Sequence, residues 1–131
     1  MATTIRAEAV RWFVSKFGDK SNAMYASKFY IPDKSWTRHS AWWIEIPLSK
    51  IVTPESAEIH LLCQTSQDAK DFHCLNVPVA FLKKELPNLS VRENGKASLF
   101  LSAEQRDMFI EKRGSGSVSF ARFLKPTNSA I

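Results

Sequence analysis

Residues 34–43 place three tryptophans, Trp36, Trp42 and Trp43, among Lys34, Arg38 and His39, with Lys28 and Tyr30 just upstream. Mixtures of this kind bind single-stranded nucleic acid. Cations neutralise phosphate, and flat rings stack on bases for about 1–3 kcal/mol per base. They also suit protein interfaces, where Trp and Arg serve as anchors. The plainer alternative is one core tryptophan, a second ring over the end of a sheet, and charges turned to solvent. Strand alternation sharpens the choice. In the run 40–46, Trp42, Ile44 and Ile46 share one face, and Ala41, Trp43 and Glu45 share the other. The adjacent tryptophans cannot both enter one core, so one of them needs a second layer or a partner. Lys34, Trp36, Arg38, His39 and Trp43 are the expected contacts. Lys83, Lys84, Arg92 and Lys96 make a second basic cluster.

The acidic residues offer a different chemistry. Glu45 lies on one expected strand, and Glu58-Ile59-His60 on the next. Alternation sets Glu58 and His60 side by side on one face. Two carboxylates and a basic group on neighbouring strands would hold a divalent metal and orient water for phosphodiester cleavage. Over residues 1–77 this pattern resembles the restriction-endonuclease-like core, in which an acidic residue on one strand precedes Glu-x-Lys on the next. The resemblance implies a Mg²⁺-dependent nuclease using Glu45, Glu58 and His60. The chain departs from the family pattern by carrying His60 at the lysine position and a strand where the family has a helix. Carboxylates on a polar sheet face also form structural ion pairs.

Other chemistry finds little support. His60, Cys63, His73 and Cys74 are zinc-ligand types, but each neighbouring pair points to opposite faces of its strand. There is no Gly-x-Ser-x-Gly elbow and no glycine-rich phosphate loop. Gly114-Ser115-Gly116, after Lys112-Arg113, reads as a flexible loop that could approach an anion. The residues therefore point to a binding domain more than to an enzyme, without a cofactor, and with nucleic acid, an acidic protein or a second copy of the chain as partner.

The elements that must position these residues follow from periodicity. Ile5, Ala9, Trp12, Phe13 and Phe17 form a helical stripe over 4–17, with Thr3 or Thr4 as cap and Gly18 as stop. Strands are expected over 23–31, 40–46, 57–63 and 72–77. A helix is expected to begin at Pro78, to bury Val79, Leu82 and Leu86, and to end at Pro87. Asn94-Gly95 predicts a tight hairpin whose turn residues both take positive φ. Ser102 and Gln105 are spaced as a capping box for a short helix to about residue 113. A last strand covers 117–124.

The 131 residues fit one domain able to bury its own core. The expected class is α+β: a mostly antiparallel, mixed sheet of five to seven strands with the N-terminal helix packed on it. The domain spans 1–124, with a flexible tail over 125–131. A net charge of +5 favours an anionic partner. Two cysteines in apolar runs point to a reducing, cytoplasmic setting. No stretch approaches the ~20 apolar residues of a membrane span.

Overall fold

The computed structural model describes residues 5–18, 23–32, 39–53, 56–67 and 69–125. The first helix, α1, runs Ile5–Phe17 and buries Ala9, Trp12 and Phe13, as the apolar spacing requires. The strands that follow are β1 (Met24–Ser27), β2 (Ala41–Pro47), β3 (Glu58–Gln64) and β4 (Phe72–Pro78). A short helix α2 (Ser49–Val52) follows β2, and α3 (Val79–Glu85) follows β4. The chain closes with β5 (Ser90–Val91), β6 (Lys96–Ser102), β7 (Ile110–Glu111), β8 (Val118–Ser119) and β9 (Leu124–Lys125).

The fold is α+β, and its strands divide between two sheets. One sheet has the order β1-β3-β4-β9. The other has β2-β6-β7-β8, with β5 also on β6. The β1–β3 pair is parallel and the remaining ladders are antiparallel. The parallel pair arises because the connection between its strands passes through β2 in the other sheet.

Alternation along β3 and β4 assigns the layers. Ile59, Leu61, Cys63, Leu75 and Val77 meet Trp42, Ile44, Ile46, Leu99 and Leu101 of the second sheet. Leu62, Phe72 and Cys74, from the opposite face, meet Trp12 and Phe13 of α1. The order of layers is therefore helix, four-stranded sheet, five-stranded sheet. Trp42 is completely buried and lies flat against Phe109 at 5.1 Å, while its Nε1–H donates to the Gln64 carbonyl at 2.8 Å. Each large apolar side chain buried this way contributes about 1.5–3 kcal/mol. Among the described residues no helix is long and apolar enough to cross a membrane.

Several local expectations are corrected. No helix spans 102–113; a single 3-10 turn, Gln105–Asp107, leads into β7. The Ser102 hydroxyl accepts from the Glu104 N–H and donates to Asp107 instead of capping a helix. Phe109 takes φ +68, the only positive φ among described non-glycine residues, and its ring stacks on Trp42. Tertiary packing thus overrides the local capping signal. In the hairpin, Gly95 alone has positive φ: its N–H bonds the Arg92 carbonyl, and the Arg92 N–H bonds the Lys96 carbonyl. That is a three-residue loop closed by a glycine bulge. Pro78 ends β4 and precedes α3 rather than opening it. Lys125, expected to begin a tail, pairs with Cys74 in β9.

Candidate nucleic-acid interface

The strand register of β2 and β6 builds an outward sheet face. Trp43 lies directly opposite Phe100, Glu45 opposite Ser98, and Pro47 opposite Lys96. Opposed residues of an antiparallel pair project from the same face, and the alternate residues of these strands, Trp42, Ile44, Leu99 and Leu101, fill the core. Trp43 is pinned in place. Its Nε1–H donates to Ser98 Oγ at 2.6 Å, and its backbone N–H donates to Ser27 Oγ at 2.9 Å.

Two guanidiniums flank this ring. Arg92 sits 5.6 Å from the Trp43 centroid and also pairs with Glu45 at 3.0 Å. Arg113 sits 6.0 Å from Trp43 and 5.4 Å from Phe100. Arg92 is held by the glycine-bulge hairpin. Arg113 is held by a buried carboxylate. Glu111 is wholly inaccessible to solvent and accepts the backbone N–H groups of Phe100 (2.9 Å), Arg113 (2.8 Å) and Gly114 (2.7 Å). The following turn is pressed onto the 3-10 turn Leu86–Asn88: a Cβ on Gly114 would lie 2.1 Å from the Asn88 carbonyl oxygen, which also accepts the Ser115 N–H at 2.9 Å. Gly114-Ser115-Gly116, expected as a flexible loop, is packed against Asn88 at its Gly114 end.

A second set of cation–ring contacts lies elsewhere. Arg122 stands 4.8 Å from both Phe81 and Phe123, but those rings pack against the core residue Phe120. That arrangement closes an end of the core. The Trp43–Phe100 pair is half-buried instead, on the sheet face turned away from the core.

The expected site residues meet different fates. Trp43 and Arg92 come together. Lys96 shares their face at the register position opposite Pro47. His39 is exposed beside Phe100, where both line a shallow pocket. Lys34, Trp36 and Arg38 lie outside the described residues. Lys83 and Lys84 are exposed in the last turn of α3, whereas Arg92 lies against Trp43 and Lys96 lies on β6, so the expected second cluster is divided between two elements.

The acidic set is not assembled. Glu45 belongs to the outer face of the five-stranded sheet and is held by Arg92. Glu58 and His60 belong to the four-stranded sheet, where His60 packs on Phe13 of α1 and hydrogen-bonds Asn76. The core separates them because β2 and β3 pair in different sheets. The zinc-type residues are divided too: Cys63 faces the inter-sheet core, as does His73 with its ring edge-on to Trp42, while Cys74 faces α1. Burial pushes both thiols up, Cys74 to about 11. Among the described residues no three His, Cys, Asp or Glu side chains are gathered to hold a metal ion.

The residues missed by sequence reasoning are Phe100, Ser98 and Glu111, and Arg113 enters it only as a cation ahead of the Gly114 loop. Phe100 is legible as the outward member of an apolar strand. Arg113 falls within the expected helix over 102–113 that does not form, and Glu111 carries no sequence signal. No protein-family model, no curated protein and no solved structure matches this chain.

Proposed function

We propose that this chain is a small binding domain that takes single-stranded nucleic acid on the outer face of its five-stranded sheet. The observation that supports this reading is the opposed pair Trp43 and Phe100, flanked by the guanidiniums of Arg92 and Arg113. A base laid beside these rings extends an existing stack. The guanidiniums, with Lys96 further along the face, meet the phosphates on either side. Preorganisation adds to this: Ser98 fixes the indole and Glu111 fixes the Arg113 backbone, so little ordering is left to do on binding.

Titration with a short oligothymidylate, read by tryptophan fluorescence, tests this. Quenching is expected, and log K should fall with log salt at a slope of about −1.5 to −2 if two or three phosphates are met. Absence of quenching, or a salt-independent affinity, contradicts it. A concentration-dependent mass without oligonucleotide binding would place a second copy of the chain on this face.

A further inference from the structure

Beside Phe100 a pocket of about 260 Å³ is lined by His39, Phe100, Ser102, Arg106, Asp107 and Lys112. One carboxylate faces three basic side chains. That carboxylate is already engaged: Asp107 accepts from the Ser102 hydroxyl at 2.5 Å and from Lys112 Nζ at 2.8 Å. Arg106 is exposed on the 3-10 turn Gln105–Asp107. The pocket is therefore cationic on balance, with one aromatic wall.

Its size limits what it takes. Pockets for whole small molecules run from about 300 to 1,000 Å³, so this one suits a single group and not a complete nucleotide with its base. Its aromatic wall, Phe100, is also the ring beneath Arg113. A strand crossing from Trp43 to Phe100 runs directly into it. We propose that this pocket is a subsite for the terminal phosphate of a bound strand, with Arg106 as the principal contact and the Lys112–Asp107 pair fixing the second cation. A terminal phosphate monoester carries close to two charges at neutral pH, against one on an internal phosphodiester, and so gains more from a pocket in which Arg106 and Lys112 outnumber the single carboxylate of Asp107.

The inference rests on the nucleic-acid reading, and one experiment separates the two. Eight-residue oligothymidylates with a 5′-phosphate, with a 3′-phosphate and with neither are titrated into the full chain. One phosphorylated form should bind about tenfold tighter than the unphosphorylated strand, as a charge-assisted contact provides. In Arg106→Ala that advantage should shrink to within about twofold, and Arg106→Lys should restore part of it. Arg106 is exposed, so neither substitution threatens folding, and a denaturation curve checks this. Equal affinities for all three strands in the wild type overturn the subsite while leaving the Trp43 face standing. An advantage that survives in Arg106→Ala also overturns it. Absence of binding to any strand overturns both.

Discussion

The buried carboxylate of Glu111 accepts the backbone N–H of Arg113 at 2.8 Å, and Arg113 in turn lies over Trp43 and Phe100. A side chain with no solvent contact thereby holds the backbone of an exposed arginine. Glu111 satisfies three N–H donors with two oxygens. In Glu111→Gln one end of the side chain becomes a donor and at least one of those N–H groups loses its acceptor. Urea denaturation should show a loss of about 1–3 kcal/mol. Unchanged stability would mean that the carboxylate is not needed to hold this turn.

The same turn predicts a contrast between two glycines. Gly114→Ala drives a Cβ into the Asn88 carbonyl and should cost about 1–3 kcal/mol or more. Gly116 has φ +84, with no atom within 4 Å of where a Cβ would stand, so Gly116→Ala meets only the backbone penalty, on the order of 1–2 kcal/mol. Thermal melts of the two variants should rank Gly114→Ala as the less stable. The reverse order would show that the loop can lift away from Asn88.

His73 predicts a pH dependence. Burial holds its imidazole below the ordinary value of 6.5, against the opposing pull of Asp71. The unfolded chain therefore binds a proton at a higher pH than the folded one. This contribution to stability is complete above about pH 6.5 and is lost as pH falls towards the folded value. Denaturation at about pH 7.5 and about pH 5.5, above and below the unfolded value, should show the lower stability in acid, and His73→Phe should reduce the difference. An unchanged difference in that variant would assign it to other groups.

The two thiols should be inert in the native protein. Cys63 and Cys74 are fully buried, on opposite faces of the four-stranded sheet, with pKa values raised by burial. A thiol-reactive disulfide reagent should label neither in buffer and both in denaturant. Rapid labelling of the folded protein would contradict the layer assignment.

Much of this is legible in the sequence alone. The stripe on α1, the opposition of Trp42 and Trp43, and the hairpin at Gly95 follow from period and turn chemistry. The rest depends on contacts distant in sequence. The division into two sheets depends on β2 choosing β6 over β3, which local alternation does not encode. That choice carries Glu45 away from Glu58 and His60 and dissolves the acidic constellation. Phe109 leaves helical geometry because its ring gains more against Trp42 than the capping box at Ser102 offers. With that helix goes the expected position of Arg113 at a helix end, and what remains is its place ahead of the Gly114 loop.

In the proposed complex Trp43, and not its neighbour Trp42, forms the binding surface. Oligothymidylate affinity measured for Trp43→Ala, with denaturation run alongside, tests this most directly. The expected result is a folded variant whose affinity falls at least about tenfold, as for loss of one stacking platform. A folded Trp43→Ala variant that binds with wild-type affinity would contradict it.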